Sequence, residues 1–243
     1  MKKLLLGACA LLIACAACSC TSPADEPSAG PLAVTADQGE AQPVMAVTTS
    51  SVTHPDWSRD AVIYQINTRQ YSEAGTFKAV EADLDRIQSL GVDILWFMPI
   101  HPIGEAKRKG SLGSPYAVQD FQAINPEFGT LEDFKSLIDA AHARDMKVII
   151  DLVANHTAWD HRLIYEHPEY YTRNAAGEIQ HPPGTDWYDV ADLDYSQQGV
   201  REYMSESMLY WVRDVGIDGY RADVAGMVPT DFWNEVRPRL DAV

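Results

Sequence analysis

The sequence predicts an α/β fold with parallel strands, and three observations carry the prediction. Short apolar runs recur at 61–66, 92–99, 147–153 and 217–224. Two of them, Val92 to Pro99 (VDILWFMP) and Lys147 to Val153 (KVIIDLV), are nearly unbroken, as in strands buried on both faces. Between the runs, apolar residues step by three and four, the period of an amphipathic helix. Strand and helix in alternation mark parallel βα units. The pattern fits a closed barrel and an open sheet equally.

Taken in order, Ala61 to Ile66 is the first strand. Phe77, Val80, Leu84, Ile87 and Leu90 then define one helix face, and Gly91 ends that helix. The second strand, 92–99, leads into a polar loop from Ile100 to Gly129. Thr130 opens the next helix, with Asp133 three residues on as a capping signal and Leu131, Phe134, Leu137, Ile138 and Ala141 as its apolar face. After the third strand, a polar and aromatic stretch from about 156 to 198 breaks the rhythm. It holds Pro168, Pro182, Pro183 and Gly184, and is too long for an ordinary loop, so it is expected to be an insertion with structure of its own. Val200, Tyr203, Met204, Met208, Trp211, Val212 and Val215 mark the third helix. Ile217 to Val224 (IDGYRADV) is the fourth strand, and a fourth helix starts at Thr230, with Pro238 expected to end or kink it.

The chain has 243 residues, of which 19 are Lys or Arg and 35 Asp or Glu, a net charge of −16. Such an acidic protein repels phosphate backbones, so nucleic acid is excluded as the main partner. All four cysteines, Cys9, Cys15, Cys18 and Cys20, lie in the first twenty residues. The remainder therefore has no disulfide and no zinc-thiolate site. Lys2 and Lys3 precede an apolar run from Leu4 to Ala17, too short to span a bilayer, so residues 1–20 read as an export signal. Leu12-Ile13-Ala14-Cys15 resembles a bacterial lipobox, which makes Cys15 the lipid acceptor, with Cys18 and Cys20 as alternatives. Membrane contact is expected only through that anchor, on an exported protein in the periplasm or at the cell surface. Residues 21–56, rich in Ser, Thr, Pro, Ala and acids, read as a flexible linker to a domain at 57–243.

Polar clusters fall just after the strands. Gly113-Ser114-Pro115-Tyr116 with Asp120 follows the second, Asp151, Asn155 and His156 (DLVANH) close the third, and Arg221 and Asp223 (GYRAD) close the fourth. In a parallel barrel, the carboxyl ends of the strands carry the active site. Alternation along a strand puts Arg221 and Asp223 on one side. A guanidinium keeps a neighbouring carboxylate ionised, which suits nucleophilic attack on an anomeric carbon. His156 can donate to sugar hydroxyls and Tyr116 can stack on a sugar ring. Each has a plainer reading too: an ion pair, a loop cap, a packed tyrosine. Trp159, Trp187, Tyr165, Tyr170 and Tyr171 are either a sugar platform or the insertion's own small core, the latter being the commoner fate of aromatics.

Four ordered motifs resemble the α-amylase family, glycoside hydrolase family thirteen. DLVANH (151–156) is similar to its first signature and GYRAD (219–223) to its second. GSPYAVQDF (113–121) is similar to its loop after strand two, and ADLDYS (191–196) to the end of its inserted domain B. The resemblance implies a TIM (β/α)8 barrel, of which about the first four βα units are present, with a short domain B after strand 3. It implies a retaining mechanism on α-glucans such as starch or maltooligosaccharides. Asp223 then matches the nucleophile, Arg221 the arginine supporting it, and Tyr116 and His156 the subsite holding the attacked glucose. Asn155 matches a frequent calcium ligand, which makes calcium the one cofactor to expect, and Asp151 matches a structural member of the signature.

Two departures stand out. The second signature often continues to Lys-His, where this chain has Gly226 and Met227. The family's general acid, a glutamate after strand five, and its third carboxylate, after strand seven, fall past Val243. The chain is therefore expected to be the N-terminal portion of a longer product, inactive on its own. A non-catalytic glucan-binding lipoprotein, or an inert relative, is the alternative.

Overall fold

The computed structural model describes residues 53–243. The signal, the lipobox cysteines Cys15, Cys18 and Cys20, and the linker as far as Val52 lie outside the described residues.

Four strands form one parallel sheet: β1 (Ile63–Ile66), β2 (Ile94–Phe97), β3 (Lys147–Leu152) and β6 (Gly219–Ala222), in the order β1-β2-β3-β6. The predicted strands are all present, each trimmed to the residues that pair. Register runs Gln65–Trp96–Ile149–Gly219 across the sheet, and Asp151 sits opposite Arg221. One face is sealed. Ile66, Leu95, Phe97, Val148 and Ile150 are buried against Phe77, Phe134, Leu137 and Trp211 from the helices. The opposite face, with Ile63, Gln65, Trp96, Ile149 and Arg221, is only partly covered, and Ile63 is 55% exposed.

The first predicted helix is broken. After α1 (Thr68–Tyr71), the segment forms α2 (Phe77–Glu81) and α3 (Leu84–Ser89). At the join, Asp83 leaves helical geometry while its carboxylate accepts from Arg86 and from the Tyr71 hydroxyl. Phe77, Val80, Leu84 and Ile87 still reach the core, so the apolar period survives the break. The helix opened by Thr130, α4 (Leu131–His142), has the full reciprocal cap: Thr130 Oγ1 accepts from the Asp133 N–H and Asp133 accepts from the Thr130 N–H.

The insertion carries its own small antiparallel sheet, β4 (His156–Ala158) with β5 (Val190–Asp192), and the short helix α5 (Leu163–Glu166). The helix α6 (Gln198–Leu209) widens into a π-helical turn over Tyr210–Val215, where Trp211 Nε1 donates to the Phe121 carbonyl at 2.6 Å. Gly216, at φ +96°, closes that turn in the left-handed conformation that glycine adopts without a Cβ clash.

The last helix, α7 (Thr230–Asp241), does not end at Pro238 as expected. The proline sits in the final turn, so few backbone bonds depend on it. Arg239 pairs with Glu202 and Glu206 on α6, and Arg237 with Asp241, holding that turn in place.

Candidate active site

Parallel pairing brings the ends of β3 and β6 side by side, and the polar clusters meet there. Arg221 Nη1 donates to Asp223 Oδ1 at 2.8 Å and to Asp151 Oδ1 at 2.9 Å. Tyr116 Oη donates to the other oxygen, Asp151 Oδ2, at 3.0 Å. Asp151 is fully buried, and burial raises its carboxyl pKa against the opposing pull of Arg221 and Tyr116. The guanidinium also lies over the Trp96 ring, 5.2 Å from its centroid. Burial and the adjacent Asp151 carboxylate drive the Tyr116 hydroxyl far above its ordinary range, so it remains a donor.

Asp223, His156 and Tyr116 line one pocket of about 290 Å³, joined by Ser114 and Val224. Asp223 is 16% exposed there, open to a ligand yet held from behind by Arg221. His156 is buried, and burial pushes its pKa down to about 4, against the pull of the Asp223 charge. The Asn155 amide donates to His156 Nδ1 at 3.3 Å, which leaves the ring proton on Nε2. A neutral imidazole of that tautomer can donate to a hydroxyl.

Val224, directly after Asp223, has φ +40° and ψ +40°. A β-branched residue in the left-handed region is strained, and such strain collects at functional sites.

Tyr116 lines the pocket, with its hydroxyl engaged by Asp151. Asp120 stays out of the pocket and accepts from the Gln122 N–H at 2.9 Å. Asp151, expected to be structural, is buried and pairs with Arg221. Of the insertion's aromatics, Tyr171 is buried in the core, Tyr165 is 73% exposed, and Trp187 lines the pocket. Lys109, Asp189 and Val190 line it as well and carried no signal in the sequence, because they meet only through the fold. Gly226 and Met227 lie in a 3-10 turn just past the pocket.

Asn155 lies beside Asp192, its amide donating to Asp192 Oδ1 at 3.4 Å, while Thr172 takes the second carboxylate oxygen at 2.8 Å. Calcium needs six to eight oxygens. Among the described residues no group of three or more acidic, His or Cys side chains is placed to hold a metal. Asn155 and Asp192 bring an amide and a carboxylate together there.

The ends of β3 and β6 thus present a carboxylate on an α/β scaffold, backed by arginine and flanked by imidazole and phenol. The alpha amylase catalytic-domain model matches residues 58–191 and 184–239, and the chain belongs to that family. It is 30% identical to trehalose-6-phosphate hydrolase of Bacillus subtilis (strain 168) over 211 residues, 72% of this chain and 36% of that protein. It is 32% identical to the alpha-amylase MalA of Haloarcula japonica, over 75% of this chain and 28% of that one. Among solved structures, an alpha-amylase from Lactobacillus plantarum superposes at TM-score 0.72 with 52% identity, over 75% of this chain and 42% of that one. A maltogenic alpha-amylase from Thermotoga neapolitana superposes at 0.70 with 42% identity, over 75% and 43%. The parallel units thus belong to a TIM-barrel-type α/β fold. The chain spans less than half the length of each of these four relatives.

Proposed function

We propose that this protein acts on α-glucans by a retaining mechanism, with Asp223 as the nucleophile. The observation that carries the reading is the single Arg221 nitrogen shared by Asp223 and Asp151. It holds Asp223 Oδ1 from behind and aims the carboxylate into the pocket. In a retaining mechanism, a carboxylate oxygen bonds to the anomeric carbon as the glycosidic bond breaks, and water later releases the glycosyl group. His156 Nε2–H holds a hydroxyl of the attacked ring. Tyr116, tethered to Asp151, forms the wall beneath it. The general acid that protonates the leaving oxygen is assigned to a glutamate outside the described residues, since among them no glutamate lines the pocket. The barrel resemblance supports that assignment. The alpha-amylases among the relatives support α-glucan as substrate. Export and a lipid anchor at Cys15 complete the reading, and they rest on the sequence alone.

The test is reducing-sugar release from maltoheptaose by the protein with its general acid in place, compared with Asp223→Asn in the same protein. The variant is expected to lose activity by about 10³-fold or more, the scale for removing a catalytic group, with the melting point little changed because Arg221 keeps Asp151. A folded variant retaining over about a tenth of the rate overturns the nucleophile assignment. Glucan binding without turnover in the unsubstituted chain supports the non-catalytic alternative.

A further inference from the structure

One indole borders the charge network of Arg221, Asp151 and Asp223. Trp96 stands on β2 with Ile149 of β3 as its register partner, and β3 pairs in turn with β6, which carries Arg221. The Arg221 guanidinium lies over the Trp96 ring, 5.2 Å from its centroid. A guanidinium within about 6 Å of an indole face is attracted by the ring quadrupole. Stacking on an aromatic face restrains the planar fork, so Nη1 stays between Asp151 and Asp223.

The indole also has a polar end. Trp96 Nε1 is buried and has no hydrogen-bond partner within bonding distance among the described residues. A buried donor left in that state is uncommon and calls for a physical reason. Its orientation supplies one. Burial raises the Asp151 pKa, while Arg221, Tyr116 and the Trp96 N–H oppose the rise. Asp151 needs this support, because Oδ1 accepts from Arg221 and Oδ2 from Tyr116. A proton on either oxygen would set a donor against a donor and break one of those bonds. The other titratable groups nearby are Asp223, reached through Arg221, and His156, which faces Asp223. Tyr116 lines the pocket and Arg221 bonds the proposed nucleophile, whereas Trp96 does neither.

We propose that Trp96 is a positioning residue for the reaction: its ring face fixes the Arg221 guanidinium, its N–H supports the Asp151 carboxylate, and through them it holds Asp223 in place. The proposal rests on the α-glucan reading and names a residue that acts without touching the substrate.

The test is the pH dependence of kcat and KM on maltoheptaose, measured on the protein with its general acid in place. Trp96→Phe keeps a ring face and removes the N–H. Trp96→Leu removes both. In each variant Asp151 loses a donor to its ionised form, so the acid limb of the profile should move to higher pH. At the optimum, Trp96→Leu should lower kcat about tenfold, the scale of one desolvated cation–π contact, with KM changed less than about twofold. Trp96→Phe should lose less, and it carries the test should Trp96→Leu fail to fold. A second readout needs no turnover. In protein labelled with 5-fluorotryptophan, the Trp96 resonance, identified by its loss in Trp96→Phe, should move with pH, and this titration should vanish in Asp151→Asn. An acid limb unmoved in Trp96→Phe, or a Trp96 resonance that titrates unchanged in Asp151→Asn, overturns the proposal alone. A fall in kcat that only follows the folded fraction does the same. A protein that releases no sugar from maltoheptaose overturns the α-glucan reading, and the role of Trp96 with it.

Discussion

Arg221 Nη1 lies 2.8 Å from Asp223 Oδ1, so the guanidinium at the end of β6 holds the proposed nucleophile two residues further on. The same nitrogen is committed to Asp151 on β3, the neighbouring strand. One cation thus ties two strands together and orients a carboxylate. Sheet pairing is what makes this possible: Asp151 and Arg221 are register partners.

Replacing Arg221 with Met leaves Asp151 fully buried without its cation. Breaking a fully buried pair from one side costs about 3–5 kcal/mol; Arg221 is 39% exposed and solvent screens the pair, so urea unfolding at neutral pH should show a loss of about 1–3 kcal/mol. Asp151 already has a raised pKa through burial. In the variant it should take up a proton more readily, so the deficit should narrow as pH falls. A loss below about 1 kcal/mol would place the pair among weak surface bridges.

Val224 stores backbone strain beside the nucleophile. Glycine adopts φ +40° freely, and relief of about 1–3 kcal/mol exceeds the 0.5–1 kcal/mol or so of added chain entropy. Val224→Gly should therefore raise stability by about 1 kcal/mol while lowering kcat, because Asp223 loses its rigid support. Differential scanning calorimetry and single-turnover kinetics on one preparation check both halves. A destabilised variant with unchanged kcat would remove strain from the account.

Acid should unfold this protein early. Burial lowers the pKa of His101, His156 and His161 to about 4 each. The hydrogen bonds agree with neutral rings. His161 Nδ1 accepts from the Leu163 N–H at 3.1 Å, a bond that protonation would abolish. His101 Nδ1 donates to the Ala123 carbonyl at 3.1 Å, which leaves Nε2 unprotonated. Between pH about 6.5 and 4 the unfolded chain binds protons that the folded one does not. Stability should rise with pH through that window, by at most about 1.4 kcal/mol per pH unit for each histidine. Melting points from pH 4 to 8 test this. His161→Gln should flatten the curve by one proton, and an unchanged slope would remove His161 from the set.

The anchor proposal is tested in bacterial cells by palmitate labelling. Cys15→Ala should abolish incorporation. Labelling lost only on substitution of Cys18 or Cys20 would move the acceptor, and no labelling with all three present would overturn the lipoprotein reading.

Much of this protein was legible from local chemistry. Apolar runs such as 92–99 and 147–153 can be buried only as central strands, so the βα order followed from periodicity. Thr130 and Asp133 announced a helix start through a reciprocal cap made within one turn. Arg221 and Asp223, two residues apart at a strand end, were expected to share a side. These signals lie within a few residues of each other, and a linear chain displays them.

Tertiary structure decided the rest. Asp83 breaks a helix because Arg86 and the hydroxyl of Tyr71, contributed by a separate element, compete for its carboxylate. Asp151 became the arginine's second partner because β3 and β6 pair in one particular register. Lys109 met Asp189 only when the loop after β2 closed on the insertion. Pro238 sits inside α7 because ion pairs to α6 hold the last turn. Each outcome depends on groups distant in sequence whose proximity is created by burial of the common core, so no local pattern could announce them.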